Sequence, residues 1–263
     1  MASMVSSRVL SKLRSGDLVK VVGISRVTDP WLTEVAGRIG YDCVWFDMEH
    51  RDHPYSAIAP MSLACRLTGM DLMVRILKTG YSTPMRVLEH GANGIMVPHC
   101  MSAQEAQQWV DWVRFPPEGK RGFDGAGADS DWSLADPREH LRHANAETFL
   151  VLQIEDREAV DAIDEIAAVP GFDVLFVGPG DLSISLGVPF EFSHPFMEQA
   201  YDKVAAACLK HGKFWGSTSG SPEQAQRIVD RGGRFFSAGG DHGSLVNGLR
   251  NSFEAYKSVR IDG

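Results

Sequence analysis

An eightfold alternation constrains this chain more than any other feature. Short apolar runs occur at LVKVVGI (18–24), CVWFDM (43–48), DLMVRI (71–76) and GIMVPH (94–99). They recur at FLVLQIE (149–155), DVLFVG (173–178), KFWGST (213–218) and RFFSAG (234–239). Between them lie longer stretches with helical spacing, such as SAQEAQQWVDWVRF and DREAVDAIDEIAAVP. The second sets Ala159, Ile163, Ile166 and Ala167 on one face. Eight strands, each followed by a helix, within about 250 residues are what a (β/α)8 barrel requires. A doubly wound sheet also alternates, but commonly with fewer strands and a glycine-rich first crossover. No GxGxxG follows the first run, and no GxxxxGK motif closed by Ser or Thr occurs. The expected fold is therefore an α/β chain forming one (β/α)8 TIM barrel domain over residues 1–263. The segment 115–147, rich in Gly and Asp, reads as a long irregular connection of the kind that serves as a lid, a binding loop or a subunit contact.

Composition narrows the function classes. A hydrophobic fraction of 44% in 263 residues supports a full core without disulfide or metal staples. The net charge of −8, with both signs mixed along the chain, argues against nucleic acid or an anionic membrane as a partner. Cys43, Cys65, Cys100 and Cys208 are far apart and form no CxxC pair, which predicts buried free thiols in a reducing compartment. No apolar run is long enough to span a membrane. The opening MASMVSSRVLSKLRSGD is rich in Ser and basic residues, faintly like a transit peptide, but reads better as a first helix ended near Gly16. A cytoplasmic location is expected.

In such barrels the chemistry sits where strands end and βα loops begin. The second run ends in FDMEH, with Asp47, Glu49 and His50; the third ends with Arg75; the fifth ends with Gln153 and Glu155. The sixth runs through Gly178-Pro179-Gly180 into Asp181 at a helix start. Strand parity groups Val151 with Gln153 and Glu155, Met73 with Arg75, and Cys43 with Trp45 and Asp47. A Gln and a Glu pointing together into a barrel mouth are costly unless something binds them. Glu155 and Asp181, at the ends of neighbouring strands, make a hard-cation site of the kind Mg²⁺ takes, one or two carboxylates with waters or substrate oxygens beyond. The glycines beside Asp181 let backbone approach a ligand, and the helix start offers N–H groups to an anion. Each residue also has a structural reading: Asp181 as an N-cap, Glu155 as an acid before a helix, Arg75 as an ion-pair partner of Asp47, His50 as a solvated loop histidine. Their joint placement on four strand ends favours function.

At these residues the sequence resembles the HpcH/HpaI aldolase family, metal-dependent class II pyruvate aldolases acting on 4-hydroxy-2-oxo acids. The likeness runs through FDMEH, MVRI, EHGANGIMVPHCMSAQEA, RFPPEGKRG, VLQIEDREAVDAIDEIAAVPGFDVLFVGPGDLSISLG and SAGGDHGSLVNGL. The resemblance implies that Glu155 and Asp181 hold a divalent metal, Mg²⁺ or Mn²⁺, with Co²⁺ a further candidate. It places Arg75 near the substrate's keto oxygen, Asp47 and His50 at the mouth, Gln153 beside the substrate, and the Gly180–Asp181 backbone at the pyruvate carboxylate. Some members donate an Asp across a subunit interface, and Glu89 stands at that position here. The segment ILKTGYS after Arg75 also departs from the family's proline-containing form.

The implied reaction is reversible aldol cleavage of a 4-hydroxy-2-oxo acid to pyruvate and an aldehyde through a metal-bound enolate. Decarboxylation, or C–C bond formation from oxaloacetate or a related acid, is the alternative through the same enolate. In this reading His50, polarised by Asp47 or by an acid of a neighbouring subunit, shuttles the 4-hydroxyl proton. A Schiff-base mechanism would need Lys78, and a catalytically dead barrel binding a 2-oxo acid is the non-enzymatic rival. The family forms homohexamers with the last helix exchanged between barrels. Here that helix, SLVNGLRNSFEAYKSV, aligns Leu245, Leu249, Phe253 and Tyr256 on one stripe.

Overall fold

The computed structural model describes residues 6–260. Eight parallel strands close into a barrel in chain order: β1 (Val19–Gly23), β2 (Cys43–Asp47), β3 (Asp71–Arg75), β4 (Gly94–Val97), β5 (Phe149–Ile154), β6 (Val174–Val177), β7 (Phe214–Thr218) and β8 (Phe235–Gly240). Each lies on one of the apolar runs of the sequence, and β8 pairs with β1 to complete the ring. The first six helices are α1 (Arg8–Ser15), α2 (Pro30–Ile39), α3 (Ile58–Thr68), α4 (Ser82–Glu89), α5 (Ala103–Val113) and α6 (Pro137–Glu147). The others are α7 (Arg157–Asp161), α8 (Ile163–Ala168), α9 (Pro179–Ser185), α10 (Pro195–His211), α11 (Pro222–Asp230) and α12 (Asp241–Ala255).

Period-2 alternation divides the core. Cys43, Met73, Met96, Val151, Phe176 and Phe235 fill the barrel interior, while Phe46, Val74, Ile95, Leu152 and Val177 pack outward against helices. A Cβ on Gly94 would lie 2.2 Å from the Phe149 ring, so only glycine lets that ring fill the space beside β4. The N-terminal end of the barrel is plugged by α1, whose Val9, Leu10 and Leu13 join the interior cluster. Its helix is fixed by buried acids: Asp42 pairs with Arg8 and Lys12, each at 2.8 Å, and Asp71 accepts from Ser7 Oγ at 2.6 Å and Val9 N at 2.8 Å.

The first helix ends at Gly16 as expected, in a left-handed C-cap; the part of the leader-like opening at residues 1–5 lies outside the described residues. All four cysteines are buried and free. Among the described residues no helix is long and apolar enough to cross a membrane. Two expectations are corrected. The connection 115–147 is not irregular throughout, because Asp136 caps α6 and Pro137 starts it; that helix buries only His140 and Ala144, too narrow a face to show as a period. The stretch DREAVDAIDEIAAVP forms α7 and α8 rather than one helix, parted at Ala162.

The eighth helix departs from the simple pattern. Helix α12 buries only Asp241, and Leu249, Phe253 and Tyr256 are 71%, 70% and 74% exposed. Outside β8 and β1, between α11 and α2, a groove of about 750 Å³ is lined in part by Ile39, Tyr41, Val229 and Phe236.

Candidate active site at the C-terminal mouth of the barrel

Strand parity carries Asp47, Arg75, Gln153 and Glu155 inward at the C-terminal ends of β2, β3 and β5, above the Trp45 and Phe176 rings. Arg75 is the centre of this layer. Its Nε and Nη2 each donate to one Asp47 oxygen at 2.9 Å, and its Nη1 lies 2.9 Å from Glu49 Oε2. The guanidinium also sits 5.0 Å from the Trp45 ring centroid. Burial alone would push the Asp47 carboxyl up, but the Arg75 fork outweighs it and holds the group below its usual range.

Glu155 has a different environment. It is 1% exposed, and its oxygens are fixed by N–H donors, Gln153 Nε2 to Oε2 at 2.6 Å and the His99 backbone to Oε1 at 3.0 Å. Burial, opposed by His99 and Arg75, pushes its carboxyl up to about 7. Gly178 makes room for it, since a Cβ there would stand 2.3 Å from Glu155 Oε2 and 2.9 Å from Gln153 Nε2. Gly180 faces open space in the mouth. Asp181 is exposed in the first turn of α9, and its side chain makes no hydrogen bond or ion pair with any of the described residues. It is not the cap of that helix, a place Gly178 takes.

Two residues without an assigned role complete the mouth. His99 bonds Asp156 Oδ2 through Nδ1 at 2.9 Å, and its Nε2 lies 3.6 Å from Glu155 Oε1 and 3.9 Å from Glu49 Oε1. Burial disfavours the charged imidazole, yet the bond to Asp156 and the charges of Glu155, Asp156 and Glu49 prevail and raise it. Glu49 bridges Arg75 and His99. Parity gave Glu49 away, since it follows Asp47 by two; His99 had no such signal. It follows Met96 by three, out of phase with the inward set, and turns inward through a left-handed backbone, φ 47°.

Other candidates lie elsewhere or bond differently. The His50 ring is 57% exposed at the rim, nearest Glu49 at 3.7 Å. Asp47 does not polarise that ring, as Arg75 takes both its oxygens and only the His50 backbone N–H reaches it, at 3.4 Å. Glu89 ends α4 at the other end of the barrel, facing Arg121, Asp124 and Asp129, and burial raises its carboxyl. Lys78 Nζ is held by Glu105 at 2.6 Å and by the His99 carbonyl at 2.7 Å.

The donor set suits a cation. Asp47, Glu49, Glu155 and Asp156 outnumber Arg75 and His99, and Arg75 is committed to the first two. Gln153 Oε1 is buried without a partner. Among the described residues no three His, Cys, Asp or Glu side chains form a ready metal cluster. Glu155 is buried in the mouth and Asp181 is exposed on the turn after β6, and Mg²⁺ commonly accepts one or two protein carboxylates with substrate or water in its other positions.

Comparison with known proteins places carbon–carbon bond chemistry on this framework. The chain is 31% identical over 262 residues, 96% of its length and 95% of the other's, to the 4-hydroxy-4-methyl-2-oxoglutarate aldolase tasA of Hapsidospora irregularis. The crystal structure of an HpcH/HpaI aldolase from Desulfitobacterium hafniense superposes with a TM-score of 0.91 at 28% identity, covering 95% of this chain and 97% of that one. The citrate synthase SbnG does so at 0.86 and 28%, covering 96% and 98%. The protein is accordingly a lyase of the aldolase class. Residues 25–248 match the family model described as HpcH/HpaI aldolase/citrate lyase, and the chain belongs to that family.

Proposed function

We propose that the chain is a divalent-cation-dependent pyruvate aldolase that cleaves a 4-hydroxy-2-oxo acid reversibly to pyruvate and an aldehyde. The observation that carries this reading is Glu155, a carboxylate almost wholly buried at the mouth, pushed up to about 7 and held by N–H donors on both oxygens. Glu155 and Asp181 would hold the ion, Mg²⁺ or Mn²⁺, with Co²⁺ a further candidate. When bound, it supplies Lewis-acid stabilisation for negative charge on the keto oxygen of a 2-oxo acid.

The chain's own residues supply the rest. Arg75, locked by Asp47 and Glu49, needs no reorganisation to meet charge growing on the keto oxygen as the C3–C4 bond breaks. Gln153 turns its unpaired Oε1 to the substrate while its Nε2 holds Glu155. Backbone N–H groups at Gly180 and Asp181 receive the pyruvate carboxylate, where no side chain intrudes. His50, at the wet rim, moves the 4-hydroxyl proton through its ring, with Glu89 of a second copy as the acid that orients it. The pairing of Lys78 with Glu105 favours this route over a lysine Schiff base. The likeness to a citrate synthase favours, as a second reading, decarboxylation or C–C bond formation from oxaloacetate at the same residues.

The apolar stripe of α12 and the open groove between α11 and α2 support a homo-oligomer, a hexamer with that helix exchanged. Four free buried thiols support a cytoplasmic setting. A pyruvate-release assay over a panel of 4-hydroxy-2-oxo acids, with EDTA or with added Mg²⁺ or Mn²⁺, tests the function. Turnover that needs the added ion is expected, and full turnover in EDTA refutes the reading.

A further inference from the structure

Resting on that reading, we propose that His99, through its ring, is a positioning residue that orients the water or ion held at Glu155 Oε1 and so sets the site's affinity for its cation. Three independent contacts fix it. Its backbone N–H donates to Glu155 Oε1 at 3.0 Å, which stops the carboxylate from rotating away. Its carbonyl accepts from Lys78 Nζ at 2.7 Å, and Lys78 is anchored to Glu105 in the first turn of α5. Its ring bonds Asp156 Oδ2 at 2.9 Å, and because a carboxylate only accepts, the Nδ1 position carries that proton.

The backbone at His99 is in the left-handed region, φ 47°, which costs a side-chain-bearing residue free energy unless its surroundings over-determine it. Lys78, Glu105 and Asp156 are those surroundings. The result presents Nε2 toward Glu155 Oε1 at 3.6 Å and Glu49 Oε1 at 3.9 Å. These separations exceed a hydrogen bond and match the span across which one water or cation is shared. A histidine whose far nitrogen is held by a carboxylate is the arrangement that orients groups around metals, and loss of such a partner typically lowers metal affinity about 10–100-fold.

The experiment is a Mn²⁺ titration of the metal-free full-length protein, read by the EPR signal of free Mn²⁺, with and without added imidazole. His99→Gly accepts φ 47° without strain and keeps the N–H to Glu155, so it removes the ring alone. It is expected to weaken Mn²⁺ binding by about 10–100-fold, with imidazole restoring much of the loss. Asp156→Asn, which leaves the ring in place but removes its carboxylate, should weaken binding by a smaller factor in the same direction. Glu155→Gln is the control for the site itself and should abolish binding. If Glu155→Gln abolishes binding while His99→Gly binds as wild type does, the role of His99 is refuted and the cation site stands. A loss in His99→Gly that imidazole leaves unchanged also refutes it, since the ring would then not be the operative group. Binding retained in Glu155→Gln overturns the cation site instead.

Discussion

Replacing Arg75 by Lys separates charge from geometry. The guanidinium meets three oxygens of two acids at 2.9 Å, two on Asp47 and one on Glu49. An ammonium is a point donor and cannot span that fork, so roughly one of the two charge-assisted bonds to Asp47 is lost, worth about 1.5–3 kcal/mol, together with the close ion pair to Glu49. The net loss is about 2–4 kcal/mol, below the roughly 3–5 kcal/mol for deleting one partner of a buried ion pair, because the ammonium keeps the charge. In a chain of this size that lowers Tm by on the order of 10 °C. Activity should suffer separately, because the donor aimed at the keto oxygen would no longer be preorganised; kcat is expected to fall about 10²–10³-fold with a smaller change in KM. Calorimetry and steady-state pyruvate release measure the two effects. A variant within threefold of wild-type kcat and within about 1 kcal/mol in stability would refute both the pairing energetics and the assigned role.

Asp71 gives a pH signature. Burial pushes its carboxyl up to about 6, above the unfolded value, so the stability it contributes is present below about pH 4 and lost as pH rises through 6, on the order of 3 kcal/mol in all. Asp71→Asn should therefore be more stable than wild type at pH 8 but not at pH 4, by denaturant titration at both; equal differences at the two pH values would contradict this. Gly178→Ala should displace Glu155, whose Oε2 would lie 2.3 Å from the new Cβ, abolishing Mn²⁺ binding while circular dichroism stays native; unchanged binding would contradict the packing. Leu249→Asp with Phe253→Asp on α12 should lower the sedimenting mass by dissociating the proposed oligomer, and an unchanged mass would show the stripe is not an interface.

Much of this was legible because barrel strands are short apolar runs and their ends obey parity. Asp47, Arg75, Gln153 and Glu155 could be placed at the mouth from spacing alone, and their contacts follow from it. What escaped does so for local physical reasons. Helix α6 presents almost no apolar face. His99 reaches the mouth only through a positive φ that reverses its parity, and that turn is held by Lys78 and Asp156, partners distant in sequence. The Asp47–His50 pairing failed because the guanidinium, arriving from β3, claims the carboxylate first. Glu89 ends a helix that runs back from β3 to the opposite rim, so it lies away from the mouth of its own barrel, and spacing within one chain gives it no partner there.

The central claim is that Glu155 and Asp181 together grip a divalent ion at which a 2-oxo acid binds. Its most direct test is the anomalous difference map of a crystal grown with Mn²⁺ and pyruvate. The account predicts one strong peak between those two carboxylates, with the pyruvate keto oxygen turned to Arg75. A mouth without a peak, or a peak bound by other side chains, would contradict it.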